Sequence, residues 1–193
     1  ALNNYRMAHV PQVVSFTAPT GSGKTIIMAA LIEDIFFGTE KFEEQPEAIF
    51  VWLSDSPQLN EQSKQKIDLK ADKIRLDQCV TIDDDSFDRE MLEDGHIYFL
   101  NTQKIGKAGN LTRHSDTRQY TIWETLENTL KEKSDRLYFI IDEAHRGMQG
   151  REAGRATSIM QKFLKGSPVD KLSPMPVVFG MSATTARFNR LVE

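Results

Sequence analysis

Cysteine is nearly absent from this sequence, which has only Cys79 among its 193 residues. A single cysteine cannot form an internal disulfide, and with four histidines at no metal-binding spacing it cannot build a cysteine-based metal cluster. Long apolar runs are missing as well, so no segment approaches the roughly 18 residues that cross a membrane. Residues 1–6 lack the basic and then apolar layout of a secretory signal. These absences predict a cytoplasmic protein without a membrane partner.

An excess of positive charge is also lacking, because 24 lysines and arginines face 28 aspartates and glutamates for a formal net charge of −4. Proteins that bind nucleic acid on their own usually have a basic balance or a basic face. Any contact with nucleic acid is therefore expected to be local, or to be shared with segments outside this sequence. The 39% of hydrophobic residues is typical of a folded chain, and the length predicts a single domain over 1–193.

Apolar runs rich in β-branched and aromatic residues alternate with helical patterns along the chain. This alternation is typical of an α/β fold in which helices cover both faces of a parallel sheet. The predicted strands are 12–17, 48–53, 96–100, 137–141 and 176–181, with a weaker pattern near 74–80. The predicted helices are 24–37, a segment starting near 57, 122–133 and 153–164. Residues 104–120 are polar with almost no apolar pattern, which predicts an exposed loop or insertion.

The turn between the first predicted strand and the first predicted helix fits the phosphate-loop pattern. Its residues are Ala18-Pro19-Thr20-Gly21-Ser22-Gly23-Lys24-Thr25, with alanine in place of the usual first glycine. The glycines let successive main-chain N–H groups curl around one anion at the N-terminus of a helix. Lys24 can reach the β- and γ-phosphates of ATP, and the Thr25 hydroxyl can ligate Mg²⁺. An ordinary glycine-rich turn is the alternative, but the strand before it and the helix after it favour a phosphate site.

Two carboxylates directly follow the apolar strand at 137–141. Asp142 offers an oxygen ligand for Mg²⁺, and Glu143 is the candidate for orienting and deprotonating the attacking water. A solvated acidic turn would look the same alone, but a phosphate loop in the same chain favours the catalytic interpretation. His145 is assigned to polar coupling between the nucleotide and the rest of the protein, because the sequence offers no ligand set for a metal there.

Small hydroxyl residues follow the last predicted strand, among them Ser182 and Thr184. Their side chains are suited to bridge the acidic residues to a neighbouring surface by hydrogen bonds. An ordinary strand cap would have the same composition, so this segment adds little by itself.

Together these segments resemble the ATP-binding lobe of superfamily 2 helicases and translocases. The loop at 18–25 looks like motif I, residues 142–145 look like motif II in its DEAH form, and residues 182–184 look like motif III. The resemblance implies a three-layer RecA-like P-loop NTPase domain with a central, mainly parallel sheet. It also implies ATP and Mg²⁺ as cofactors, with Lys24, Asp142 and Glu143 as the catalytic residues.

Within that superfamily, the strings at 52–62, 101–104 and 141–146 are most similar to the motor subunits of type III restriction enzymes. In that family such segments touch the phosphate backbone of the tracked strand, which implies nucleic-acid contacts. The residues concerned are Gln58, Gln62, Thr102 and Gln103. The implied partners are duplex DNA, a second RecA-like lobe of the same chain and the modification subunit of a restriction complex.

Two departures from the family pattern change what is expected. No glutamine stands upstream where many relatives recognise adenine, so base selectivity stays open. The second lobe and its arginine finger are not in this sequence, so the chain is expected to be a lobe excised from a longer protein. A missing finger can cost ~10³ or more in rate, so the isolated lobe should hydrolyse ATP slowly.

Other functions remain open at this point. An RNA helicase of the same superfamily would have the same ATP site, a regulatory module would bind nucleotide without useful turnover, and a transporter engine would share the phosphate loop. Asp55 and the string Asp68-Leu69-Lys70 have the spacing of a metal-dependent nuclease, but the segment between them reads as helix without the strand that such a site needs. Nuclease activity is therefore not expected in this chain.

Overall fold

Six parallel strands form one sheet in the computed structural model, which describes residues 1–19, 23–106, 109–142, 150–184, 186, 189 and 192–193. They are β1 (Gln12–Thr17), β2 (Ile49–Ser54), β3 (Cys79–Thr81), β4 (Ile97–Asn101), β5 (Leu137–Asp142) and β6 (Val177–Ser182). They lie in the order β1-β6-β5-β2-β4-β3, and every neighbouring pair is parallel. The carboxyl ends of all six strands therefore meet at one edge, where open α/β sheets bind ligands.

Helices cover both faces of this sheet. They are α1 (Leu2–Ala8), α2 (Lys24–Phe37), α3 (Pro57–Lys70), α4 (Ile122–Lys133) and α5 (Arg151–Lys165). On one face Ile32 of α2 and Ile67 of α3 belong to the same buried cluster as Trp52 of β2. On the other face Leu126 of α4 and Phe163 of α5 belong to a second buried cluster with the side chains of β5. The two helical layers and the sheet confirm the predicted three-layer RecA-like α/β arrangement.

None of the described helices has both the length and the apolar character that crossing a bilayer requires.

Local sequence signals explain where two of the helices begin. The Ser56 side chain accepts a hydrogen bond from the Leu59 amide at 3.3 Å, directly before a proline that opens α3. The Thr121 hydroxyl accepts from the Glu124 amide, and the Glu124 carboxylate accepts from the Thr121 amide at 2.9 Å, which makes a reciprocal capping box at the start of α4. Such caps satisfy main-chain N–H groups that the helix itself leaves unpaired.

The weaker strand pattern near 74–80 corresponds only in part to a strand of the structure. A short 3₁₀ turn occupies Leu76–Gln78, and β3 begins only at Cys79. The Arg75 amide donates to the Gln78 side chain at 2.9 Å, which stabilises the turn and delays the strand. The other predicted strands are confirmed, each within one residue of its predicted start.

The segment 104–120, predicted to be an exposed loop or insertion, also has buried anchor points. It contains no α-helix or strand in its described part, but Ile105 and Leu111 are buried in the core and Arg118 is only 7% exposed. The Arg118 guanidinium donates to the carbonyl oxygen of Phe87, and at 2.7 Å to that of Asp84. Ile105, Leu111 and the buried Arg118 therefore anchor this polar loop to the rest of the domain.

Candidate functional site

Lys24 opens α2 and lies folded across the loop that precedes this helix. Its Nζ donates to the carbonyl oxygens of Ala18 at 2.9 Å and Pro19 at 3.2 Å. Gly23 before it has a left-handed φ of 80°, and its carbonyl accepts from the Ile27 amide at 3.0 Å. The lysine amine therefore lies against the main chain that follows β1. A helix N-terminus of this kind attracts an anion through its unpaired N–H groups and its dipole.

The first residue of the loop, Ala18, is hydrogen-bonded to the last residue of β6, Ser182. The Ala18 amide donates to the Ser182 carbonyl at 3.3 Å, because β1 and β6 are neighbours in register. Ser182 is fully buried, its hydroxyl donates to the Thr184 carbonyl at 2.8 Å, and the Thr184 amide donates back to that hydroxyl at 3.2 Å. The first residue of the loop and the predicted coupling residues therefore share one hydrogen-bonded unit.

Asp142 ends β5 at the same edge of the sheet. Burial raises the pKa of its carboxyl from the ordinary 3.8 to about 6, against a lowering by the Trp52 indole, while the neighbouring Asp55 raises it and the charge of Lys24 lowers it. Lys24 opens α2 after β1 and Asp142 ends β5, so both residues lie at the carboxyl edge of the sheet. A carboxylate that is costly to bury alone favours a cation, since a bound metal replaces the proton as the compensating charge.

The residues at the ends of β2 and β4 are joined by hydrogen bonds. Thr102 is 3% exposed, its amide donates to the Ser54 carbonyl at 2.9 Å, and its hydroxyl donates to the Asp55 carbonyl at 3.3 Å. The Ser54 hydroxyl donates to the Asn60 side chain at 2.6 Å and so ties this turn to α3. The turn that leads into α3 is therefore rigidly held.

The residues predicted to contact nucleic acid divide into two groups. Gln58, Gln62 and Gln103 are exposed, whereas Thr102 is buried in the turn just described. Gln58 and Gln62 are four residues apart on α3 and therefore lie on one face of that helix. Gln103 follows β4, which is paired with β2 at the same edge.

Several predicted site residues lie outside the described part of the chain. They are Thr20, Gly21, Ser22, Glu143 and His145. Thr25 is described and lies partly buried in the first turn of α2.

Trp52 is the residue near this site that sequence reasoning overlooked. It lies inside an uninterrupted apolar strand, and its ring is fully buried against Phe99 with the ring centroids 5.9 Å apart. The available signal was chemical, because a tryptophan in a buried strand carries an N–H group that needs an acceptor.

The six parallel strands with helices on both faces form a lobe of the RecA-like α/β class. The family model described as type III restriction enzyme, res subunit, matches residues 2–187, and the chain belongs to this family. It is a family of N-terminal lobes of superfamily 2 helicases. A comparison with curated proteins gave no match.

Proposed function

We propose that this chain is the ATP-binding and ATP-hydrolysing lobe of a DNA-dependent superfamily 2 motor in a type III-like restriction subunit. Lys24 and Asp142 support this function most directly, because Lys24 opens α2 after β1 and Asp142 ends β5 at the same carboxyl edge of the sheet. Family membership supports the helicase-type ATPase lobe. The duplex DNA dependence and the role in restriction are the parts that we infer.

ATP would bind at the N-terminus of α2. The main-chain N–H groups of residues 20–25 are suited to hold its phosphates, and Lys24 would exchange the carbonyl oxygens of Ala18 and Pro19 for phosphate oxygens. Thr25 and Asp142 are the residues that would hold Mg²⁺, since a hydroxyl and a carboxylate are ligands that it accepts. When bound, Mg²⁺ neutralises charge that develops on the phosphates.

Glu143 would orient the attacking water and accept its proton. Hydrolysis by the lobe alone should be slow, because an arginine finger from a second RecA-like lobe is worth ~10³ or more in rate. That second lobe is therefore one of the proposed partners.

His145, Ser182 and Thr184 would couple the nucleotide to movement of the rest of the protein. The bond between the Ala18 amide and the Ser182 carbonyl supports this assignment, because a shift of the loop on binding phosphate would be transmitted to β6. The exposed main chain at Thr184 would then pass the shift to the neighbouring lobe.

The phosphate backbone of duplex DNA would contact the exposed amides of Gln58, Gln62 and Gln103. Thr102, being buried, would hold the turn at Asp55 from which α3 begins. A formal charge of −4 makes this contact weak in the isolated lobe, so a modification subunit and the rest of the motor would supply further affinity. The proposed setting is the cytoplasm, where such DNA is found.

The experiment that tests this function is the rate of ATP hydrolysis by the motor that contains this lobe. It is measured without nucleic acid, with duplex DNA and with RNA, beside a Glu143→Gln control. Stimulation by duplex DNA that disappears in the control is expected. Stimulation by RNA alone would identify an RNA helicase instead, and binding of ATP without any stimulated turnover would identify a regulatory module.

A further inference from the structure

Trp52 presents a buried hydrogen-bond donor that makes no well-formed hydrogen bond with the described residues. Its side chain is fully buried, and Nε1 has no partner at hydrogen-bonding geometry. Buried tryptophan N–H groups normally find an acceptor, so a donor without a well-formed bond beside a ligand site indicates a bond that tightens in another state of the protein.

The sheet places Asp142 diagonally opposite this donor. Trp52 of β2 is in register with Ile140 of β5, and Asp142 stands two residues further along the same strand. Alternate residues of a strand point to the same side, so Ile140 and Asp142 share the face on which the Trp52 ring is buried. Diagonal neighbours of this kind are about 7–8 Å apart at the main chain, within reach of an aromatic side chain.

Two further contacts fit this geometry. The Trp52 ring stacks on Phe99 with 29° between the ring planes, which fixes the direction of its N–H group. The indole N–H also faces the Asp142 carboxylate. The alternative is that Trp52 only fills the core. In that case the environment of its N–H group would not change when Asp142 binds a metal ion.

We propose that Trp52 is a positioning residue for Asp142, whose indole N–H donates to the carboxylate when that carboxylate serves as a ligand of nucleotide-bound Mg²⁺. This rests on the proposed function. The bond would hold the carboxylate in one orientation and leave the other oxygen free for the metal. Residues that orient a metal ligand in this way typically account for about 10–100-fold in metal affinity.

The chain offers a matched control, because it has two tryptophans. Trp123 belongs to the core on the opposite face of the sheet, where its ring lies near Phe163 and Lys162. Trp52→Phe and Trp123→Phe therefore remove the same chemical group on opposite sides of the sheet. Each variant keeps an aromatic ring at the changed position. Because each variant retains only one indole, its spectrum identifies the N–H signal of the remaining tryptophan.

The decisive readout is the pair of indole ¹H–¹⁵N signals in nuclear magnetic resonance spectra of the chain. Addition of Mg²⁺ with a non-hydrolysable ATP analogue should shift the Trp52 signal and slow its exchange with solvent, and leave the Trp123 signal in place. Asp142→Asn should abolish that response. A Trp52 signal that does not respond while the analogue is bound would overturn the proposal, because a purely structural ring predicts that result.

Calorimetry of Mg²⁺ binding in the presence of the same analogue gives a second measurement. Trp52→Phe should weaken Mg²⁺ binding about 10–100-fold and leave metal-free binding of the analogue unchanged, whereas Trp123→Phe should change neither. Equal Mg²⁺ affinity in wild type and Trp52→Phe would overturn the positioning role and leave the ATP site intact. Failure of the wild type to bind the analogue at all would overturn the proposed function, and this inference with it.

Discussion

The main-chain amide of Ala18 donates a hydrogen bond to the carbonyl oxygen of Ser182 at 3.3 Å. This bond continues the pairing of β1 with β6 one residue past the end of β1, so the loop before α2 begins at the last residue of β6. The loop cannot shift at Ala18 without disturbing Ser182, whose hydroxyl already organises the turn at Thr184. In the proposed motor lobe, this bond would give the phosphate loop and the coupling segment a shared anchor.

Gly23→Ala should destabilise the fold by about 1–2 kcal/mol, because alanine at a left-handed φ of 80° is strained. Among the described residues, the nearest atom to the added methyl group is Ile26 Cδ1 at 4.0 Å, so no described atom blocks it. Gly154→Ala is the matched control, because this glycine lies within α5 and a Cβ there meets no described atom within 4 Å. That change should stabilise the protein by about 0.5–1 kcal/mol.

Urea denaturation of both glycine variants measures the difference. Opposite signs of the two stability changes are expected. A Gly23→Ala variant as stable as Gly154→Ala would show that the turn before α2 is not held in the left-handed conformation.

Asp142→Asn should stabilise the nucleotide-free protein at pH 8 and have little effect at pH 4. The folded-state pKa of Asp142, about 6, lies above the ordinary value of 3.8, so ionising this carboxyl costs folding free energy. The free-energy cost of ionising Asp142 in the folded protein is fully present above pH 6 and declines between pH 6 and 3.8. Below pH 3.8 it is absent. With partial exposure taken into account, the gain at pH 8 should be about 1–2 kcal/mol.

The free energy of unfolding at the two pH values checks this, with the exposed Asp72→Asn as control. An Asp142→Asn effect of the same size at pH 8 and pH 4 would rule out the raised pKa.

Arg118→Ala should destabilise the domain by about 2–4 kcal/mol, since it leaves the carbonyl oxygens of Asp84 and Phe87 without this donor. Arg75→Ala is the contrasting variant, because Arg75 forms an ion pair with Asp77 in which both side chains are more than 70% exposed. Exposed pairs of this kind contribute at most about 1 kcal/mol. Thermal unfolding checks this prediction. Equal losses of stability in the two variants would contradict the conclusion that Arg118 anchors 104–120 to the domain.

Gln58→Ala combined with Gln62→Ala should weaken binding of duplex DNA. Each lost hydrogen bond to the phosphate backbone costs about 0.5–1.5 kcal/mol, which corresponds to about 2–10-fold per residue. Gln12→Ala is the control, because β1 begins there at the opposite edge of the sheet. Fluorescence anisotropy at one fixed salt concentration measures both, and equal affinity in all proteins would remove α3 from the proposed DNA surface.

The bounds of α2 and α4 follow from sequence signals that act locally. Gly23 and Gly38 delimit an apolar helix, and Thr121 with Glu124 forms a capping box that sequence spacing already indicates. α1 was not predicted, because it has seven residues, no side-chain cap and only Leu2 buried. Its position depends on tertiary packing, to which the bonds from Arg6 to the Asp135 carbonyl contribute.

The same distinction explains what the sequence predicted of the site. Lys24 and Asp142 could be placed at one edge because parallel strands end together, whatever the packing of their neighbours. The burial of Thr102 and the direction of the Trp52 indole depend on the register between β2, β4 and β5, which a single sequence does not reveal. The pattern at 104–120 could not reveal the burial of Arg118, because this side chain is held by a hydrogen bond to the distant Asp84 carbonyl.

Binding of a non-hydrolysable ATP analogue with Mg²⁺, measured by calorimetry in wild type and Lys24→Ala, tests the central claim most directly. The exposed Lys131→Ala on α4 is the control. Removing the Lys24 amine should lower affinity about 10–100-fold, the range for one or more hydrogen bonds to a charged group, without a large change in unfolding temperature. Equal affinity in wild type and Lys24→Ala would show that the turn before α2 does not hold the phosphates.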